Sequence, residues 1–400
     1  MTARPRIAFV VQRCGREVNG GAEQLCLTIA QRMAACWDTE ILTTRALDYV
    51  TWANHYPAAP ETVDGVLIRR FPVAATRDIA HFNQLSERLH PRRAMAPLAE
   101  QEAWMRAQGP WTPELFAYLE QQRDAYDAFI FFGYLYATTY FGLPLVRNKA
   151  LLAPLAHDEW PIYLPMWDQL FSLPRGFIFN TPEEWDFVRR RFPNLDLQGP
   201  VAGVAVDPPH SEDGARFRQR YSIHEPFLLY LGRIEPAKGC DELFKHFIQL
   251  RRRERQPRKL VLLGRAVMEI PSHPDIIPLG FVDEQTKWDA LAACELLVMP
   301  SPYESLSIVL LEAWTLGKPV LVNGHCEVLV GQCRRANGGL WYENFGEFAI
   351  GLRTLQDDAL SQCLGAQGKQ FVEQQYTWPR IESCYVDLLR TINPPTGNAA

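Results

Sequence analysis

The sequence predicts an α/β protein made of two doubly wound, parallel-sheet domains. Three observations carry this expectation. A chain of 400 residues is too long for one ordinary core, so two domains of roughly 150–200 residues are expected. Short continuous apolar runs, the pattern of strands buried on both faces, recur along the chain and are each followed by helical periodicity. Finally, Glu295-Leu296-Leu297-Val298-Met299 runs through a Pro-punctuated loop into a helical pattern starting near Ser305 or Ser307, both acceptable N-cap residues. The loop of such a unit lies at the carboxyl end of a parallel strand, where ligands collect in open sheets. The helix start offers unpaired N–H groups and a positive dipole end, which suit a phosphate. Glu304 in the loop and Glu312 further along the helix frame that site, and carboxylates accept hydrogen bonds from sugar hydroxyls. Spacing alone also allows Glu304 to cap the helix and Glu312 to face solvent.

Composition narrows the class. Hydrophobic residues at 47% and aromatics at 12% support sizeable cores, and a net charge of -5 argues against nucleic-acid binding as the main role. Nine cysteines are scattered without CxxC spacing, as expected of reduced thiols in a cytosolic protein. Cys326 and Cys333 beside His325 match no standard zinc spacing, so no metal site is expected. The apolar run Ile7 to Val11 is far too short for a signal peptide. No run approaches a bilayer span, so the chain is expected to be soluble, or at most to sit on a membrane surface.

In chain order, Ile7-Ala8-Phe9-Val10-Val11 is the first buried strand. A loop containing Gly20-Gly21-Ala22-Glu23 follows, and then a helix through Leu25, Leu27 and Ile29. Glycines at a strand-to-helix turn let the backbone approach a ligand closely. The pattern is not GxGxxG, so a dinucleotide fingerprint is absent. Strands are expected at Thr39–Thr43 and Gly65–Phe71. Residues 78–125 are polar, helical in pattern and rich in Arg, His and aromatics, including His90-Pro91-Arg92-Arg93 and Trp104-x-Arg106. They read either as solvated helix faces or as an acceptor-binding or membrane-docking insertion. Further strands are expected at Asp127–Gly133 and Ala150–Leu155, the latter delivering His157-Asp158-Glu159-Trp160. Phe177–Thr181 then leads into a helix with Pro182 at its first position and acids in its first turn. Residues 203–214 read as a linker.

The second half repeats the alternation. Phe227–Leu231 precedes Gly232-Arg233-Ile234-Glu235-Pro236-Ala237-Lys238-Gly239, whose two cations can converge on one diphosphate. Lys259–Gly264 and Ile276–Gly280 follow, then a helix over Trp288–Cys294, the central strand, and a strand at Lys318–Val322. Ile381–Ile392 reads as a final helix and residues 394–400 as a disordered tail.

Glu304-x7-Glu312 within Pro-Ser…Glu-Ser-Leu-Ser…Leu-Glu-Ala resembles the donor-site signature of family 4 retaining glycosyltransferases, which have the GT-B fold. Gly232-Arg233…Lys238-Gly239 resembles that family's diphosphate loop, Gly20-Gly21-Ala22-Glu23 its N-terminal loop, and His157-Asp158 its histidine near the reacting sugar. The resemblance is strongest over about 225–345 and weak over 50–150. It implies two Rossmann-like domains facing across a cleft: an acceptor domain over 1–205, a donor domain over 206–378, and a C-terminal helix within 379–400 returning to the first. It also implies a nucleoside-diphosphate sugar donor and a retaining, metal-independent transfer with no cofactor. Arg233, Lys238 and the helix start after Glu304 would stabilise the leaving diphosphate. Glu304 would hold sugar hydroxyls, Glu312 the ribose, and His157 the sugar or acceptor. Ser305, Leu306, Ser307 and Ile308 would line the donor site with Gly20 and Gly21, and Phe281 and Val282 would meet the base. Gly338-Gly339-Leu340 stands where the family has a small glycine-rich turn. Ser305 and Ser307 replace glycines often found after the first glutamate, which leaves the sugar open.

The implied activity is hexosyl transfer to a saccharide or lipid-linked saccharide in bacterial surface-polysaccharide synthesis, at the cytosolic face of a membrane. Two rivals share the fold: a sugar-nucleotide epimerase, which needs an acid–base set and no acceptor, and a non-catalytic nucleotide-sugar scaffold. Retention of Glu304, Arg233 and Lys238 together opposes the scaffold, and the absent GxGxxG opposes a nicotinamide dehydrogenase.

Overall fold

A computed structural model gives the architecture and describes residues 4–18, 20–253 and 257–392. The expected tail over 394–400 lies outside the described residues. The chain divides into two compact units, Met1–Gly203 with Pro379–Ala400, and Val204–Trp378.

The first unit holds seven strands: β1 (Arg6–Val10), β2 (Asp38–Thr44), β3 (Glu61–Val63), β4 (Val66–Phe71), β5 (Ala128–Phe132), β6 (Ala150–Ala153) and β7 (Gly176–Phe177). They pair in the order β3-β4-β2-β1-β5-β6-β7, parallel throughout except for the β3–β4 edge hairpin. The turn at Asp64-Gly65, both with positive φ, closes that hairpin. Every residue of β5 is buried, as a strand covered on both faces requires. Helices Ile79–Leu89, Leu98–Gln108 and Pro113–Gln122 occupy the segment with helical periodicity. They bury Trp104, Met105, Leu115 and Leu119 against the sheet core. Helix Trp378–Ile392 is the last element among the described residues, and its Pro379–Ile392 part belongs to the first unit.

The second unit carries β8 (Phe227–Leu231), β9 (Lys259–Leu263), β10 (Ile276–Gly280), β11 (Leu296–Met299), β12 (Val320–Asn323) and β13 (Gly339–Tyr342). They form a wholly parallel sheet in the order β10-β9-β8-β11-β12-β13.

One expectation is corrected, at Gly338-Gly339-Leu340. Ahead of helix Pro182–Arg191 the chain is in register with β6 at Gly176 and Phe177, and Ile178 N–H donates to Leu152 O at 3.0 Å. Beyond that the chain also bonds to the 198–202 segment, Phe177 N–H to Gln198 O at 2.8 Å and Ala202 N–H to Phe179 O at 2.8 Å. Gly199 makes this approach possible, because a Cβ there would lie 1.8 Å from Phe177 O. The turn expected at Gly338-Gly339-Leu340 is instead the start of β13. The reversal falls one residue earlier, at Asn337, the left-handed C-cap (φ 47°) of helix Glu327–Ala336. Both glycines answer to packing: a Cβ at Gly338 would strike the Trp314 indole at 2.7 Å, and one at Gly339 would strike Val320 at 2.4 Å.

Helix Pro182–Arg191 shows how a sequence signature becomes tertiary structure. Thr181 caps it by accepting from Glu184 N–H at 3.1 Å. In return the Glu184 carboxylate, 1% exposed, accepts from Asn180 N–H and Ala156 N–H, both at 2.7 Å. This variant of the capping box ties the exit of β7 to the loop after β6, next to His157. Burial pushes Glu184 up to about 8, although N–H donors of Asn180, Ala156 and Leu155 pull the other way. Tyr385 of the last helix lies within Coulomb reach of it. The unfolded chain releases this proton near the ordinary carboxyl value, so over the interval between only the folded state holds it. Stability should therefore fall as pH rises from about 5 to about 8, with a contribution of up to about 1.4 kcal/mol per pH unit from this group. Urea unfolding across that range should show the slope in the wild type and its loss in Glu184→Gln; identical slopes in both proteins would refute the assignment.

Candidate functional site

In the sheet of the second unit the strand order reverses between β8 and β11, with β9 and β10 on one side and β12 and β13 on the other. Loops leaving the carboxyl ends of strands at such a switch point diverge and leave a crevice. The β8 loop brings Arg233 and Lys238, and the β11 loop brings Glu304, Ser305 and Leu306. Lys238 Nζ lies 2.8 Å from Glu304 Oε1, an ion pair joining the two loops, with the side chains 30% and 14% exposed. Burial works against the ammonium, but the Glu304 carboxylate more than offsets it and holds Lys238 above its ordinary value. Arg233 Nε lies 3.1 Å from Glu235 Oε1 on its own loop.

The loops are fixed by backbone contacts. Tyr230 OH donates to Arg233 O at 2.7 Å, and Asn323 Nδ2 of β12 donates to Pro300 O at 2.8 Å. Gly239 ends a short 3-10 turn in the left-handed region (φ 72°), and a Cβ there would lie 2.2 Å from Pro300 O. Gly232 and Gly264 meet as closely, since a Cβ on Gly264 would lie 1.9 Å from Gly232 O.

Helix Ile308–Thr315 starts beside this crevice with Ser307 as N-cap. The Ser307 side chain makes no capping bond, and its own N–H donates to Gln332 Oε1 at 3.2 Å. The first-turn N–H groups are thus not satisfied by the cap residue, the condition that favours an anion. Glu312 sits on the buried side of the helix. Its Oε1 lies 2.6 Å from Lys287 Nζ, and its buried Oε2 has no hydrogen-bond partner among the described residues. Lys287 also pairs with Glu284 Oε2 at 2.7 Å. Burial opposes its charge, and the two carboxylates raise it above its ordinary value. The reading in which Glu312 faces solvent therefore fails. Phe281 follows Gly280 at the end of β10 with 65% of its surface exposed, and Val282 follows it.

Gly20, Gly21 and His157 belong to the first unit. Gly20 is the N-cap of helix Gly21–Met33, and a Cβ there would meet Glu23 Oε2 at 2.0 Å. Glu23 is itself buried and paired with Arg13 at 2.6 Å, so it shapes the loop rather than facing a ligand. His157 follows Leu155, which has a left-handed φ of 54°, and its Nδ1 lies 3.6 Å from Glu159 Oε1. Sequence reasoning missed Lys287 and Glu184. The spacing Glu284-x-x-Lys287 and the box Thr181-x-x-Glu184 were readable, but their tertiary partners were not. Among the described residues no group of three or more His, Cys, Asp or Glu side chains could hold a metal ion, and no helix is long and apolar enough to cross a membrane.

The family model described as glycosyl transferases group 1 matches residues 214–358, which contain this site. The chain is 27% identical over 241 residues to an uncharacterised glycosyltransferase of Methanocaldococcus jannaschii, covering 53% of this chain and 56% of that one. It spans about half the length, or less, of the curated relatives it matches. Among solved structures it resembles sucrose-phosphate synthase from Thermosynechococcus elongatus, with TM-score 0.72 and 17% identity over 98% of this chain and 99% of that one. It also resembles Anabaena HepE in complex with UDP and glucose, with TM-score 0.69 and 15% identity over 97% and 100%. The fold is of the GT-B type.

Two glycines separate the cost of the backbone angle from that of the close contact. Gly239 and Gly280 have φ of 72° and 71°, but an added Cβ meets nothing within 4 Å at Gly280. Gly280→Ala should lose about 1–2 kcal/mol from the left-handed conformation alone, and Gly239→Ala clearly more. Urea unfolding of the two variants checks this, and equal losses would contradict the contact between the loops.

Proposed function

We propose that the chain is a retaining, metal-independent glycosyltransferase that takes a hexose from a nucleoside-diphosphate sugar. The observation that carries the reading is the convergence of Arg233, Lys238 and Glu304 at the switch point of the second unit, beside an uncapped helix start and inside the matched segment. Departure of a sugar leaves new negative charge on the diphosphate, so preorganised positive groups lower the barrier. Arg233 supplies a bidentate fork, Lys238 a point charge, and the first turn after Ser307 its N–H groups. These cations supply the charge a metal ion would otherwise bring. Glu304, once the diphosphate draws on Lys238, can accept from sugar hydroxyls. The unpartnered Oε2 of Glu312 suits a ribose hydroxyl, and the exposed ring of Phe281 suits a base.

In this reading the first unit takes the acceptor, a saccharide or lipid-linked saccharide of bacterial surface-polysaccharide assembly, with His157 and the Gly20-Gly21 turn facing it. The work is done at the cytosolic face of a membrane, against which Met95 and Leu98, both exposed, offer apolar contact.

Thermal unfolding with UDP, GDP, ADP and dTDP, with and without Mg²⁺, tests the donor site. A nucleotide at 100 times its dissociation constant should add about 2.7 kcal/mol of stability, and Arg233→Ala should abolish the shift. No shift from any of the four nucleotides would sink the proposal. If one does bind, the anomeric configuration of the product by NMR decides retention.

A further inference from the structure

The first unit contains a cavity of about 290 Å³, lined in part by Trp52, Thr76, Arg77, His81, Arg106 and Trp111. That volume accommodates one sugar ring rather than an oligosaccharide. Both arginines lie over indole rings, Arg77 at 4.8 Å from the Trp52 centroid and Arg106 at 4.6 Å from that of Trp111. Stacking fixes the plane of a guanidinium and leaves the N–H edge available for hydrogen bonds.

The charge of this wall is poorly compensated. Arg77 donates to the Gln108 side chain and to backbone oxygens of Gln108 and Tyr49, all neutral acceptors. Burial lowers it below its ordinary value, with Asp48 restoring only part through space. Arg106, exposed to solvent, makes no hydrogen bond or ion pair among the described residues; it lies over the rings of Trp111 and Phe141 and within Coulomb reach of Tyr140. The one carboxylate lining the cavity, Asp78, is engaged as a helix cap, accepting from His81 N–H at 3.0 Å.

The backbone is also strained here. Trp52 is 1% exposed and adopts a left-handed φ of 59°, uncommon for a bulky residue and found where surroundings over-determine a conformation. Its indole N–H donates to Gln108 O at 2.7 Å, the same carbonyl that Arg77 uses. The fold thus holds Trp52 and Arg77 in one arrangement while Arg106 stays uncommitted.

We propose that this cavity binds the anionic group of an acidic sugar, a uronate carboxylate or a sugar phosphate, with Arg106 as the main bidentate contact and Arg77 adding fixed positive charge. It rests on the reading of the first unit as the acceptor side and narrows the acceptor to an acidic saccharide.

The test reads binding directly, without donor or turnover. Indole N–H resonances of the full chain are followed by NMR during titration with D-glucuronate, glucose 6-phosphate, D-glucose and inorganic phosphate. Either acidic sugar should shift the Trp52 and Trp111 signals saturably, and glucose should not; which acid binds tells carboxylate from phosphate. Arg106→Ala should weaken binding roughly tenfold or more, the range expected for loss of a hydrogen bond to a charged group. Arg106→Lys, which keeps charge and loses the fork, should fall between. The proposal is overturned if neither acidic sugar shifts these signals, if Arg106→Ala binds equally with its circular dichroism unchanged, or if inorganic phosphate binds as well as the sugars. Nucleotide stabilisation without acidic-sugar binding would refute this inference alone, whereas its absence alongside Arg106-dependent sugar binding would refute only the donor reading.

Discussion

The ion pair between Lys238 and Glu304 is the interaction on which the second unit's site depends. It joins loops from two strands that pair directly in the sheet but lie on opposite sides of the order reversal. The pair acts together with contacts that anchor each loop to the sheet, Tyr230 OH to Arg233 O and Asn323 Nδ2 to Pro300 O, and with the close approach of Gly239 to Pro300 O. A partly buried pair contributes modestly when complete, and losing one partner costs more because the other charge is left uncompensated. In the proposed function, an arriving diphosphate would offer Lys238 a second anion while sugar hydroxyls offered Glu304 donors, so both charges would stay satisfied during exchange without rebuilding the loops.

Two buried carboxylates illustrate different solutions to the same desolvation problem. Glu312 is met by a cation, Lys287, which is also held by Glu284. Glu184 is met by backbone N–H groups alone. Burial still raises Glu312 above its ordinary value, and Lys287 counters that in part, leaving Oε2 to accept hydrogen bonds. N–H donors aim Glu184 at the backbone, so that residue fixes the path of the chain on both sides of it. One residue is thereby available to a ligand and the other to the loop that carries His157.

The parallel strands were legible because burial on both faces turns them into uninterrupted apolar runs, as in Phe227–Leu231 and Leu296–Met299. The loops bearing Arg233, Lys238 and Glu304 were legible for a related reason: they follow those runs directly, and strand-to-helix loops at a switch point have little freedom of position. Legibility failed where long-range packing decides. Gly338 and Gly339 stand where the resemblance implies a turn, yet the Trp314 indole and Val320 exclude any side chain there, and Gly339 enters a strand. The edge strand Glu61–Val63 has no apolar run because it is short and mostly exposed. Lys287 carries no local signal, since nothing near it in the sequence shows that the helix Ile308–Thr315 brings Glu312 to it.

The cations of the two units are held in different electrostatic states, and the difference bears on what each can bind. Arg233 and Lys238 have carboxylate neighbours at 3.1 and 2.8 Å, so with the site empty their charge is largely balanced. An anion must then compete with an internal partner, which favours a ligand of high charge density that is released after reaction, as a diphosphate is. Arg77 and Arg106 have aromatic faces and neutral carbonyls instead. A π-face attracts a cation without cancelling its charge, so that wall keeps more of its potential, with Asp78 held as a helix cap and Asp48 reaching Arg77 only through space. Exchange at the first site and retention at the second follow from the same Coulomb argument applied to different neighbours. In the proposed function, the first unit would thus hold a weakly charged saccharide in place while the second turned over a strongly charged donor.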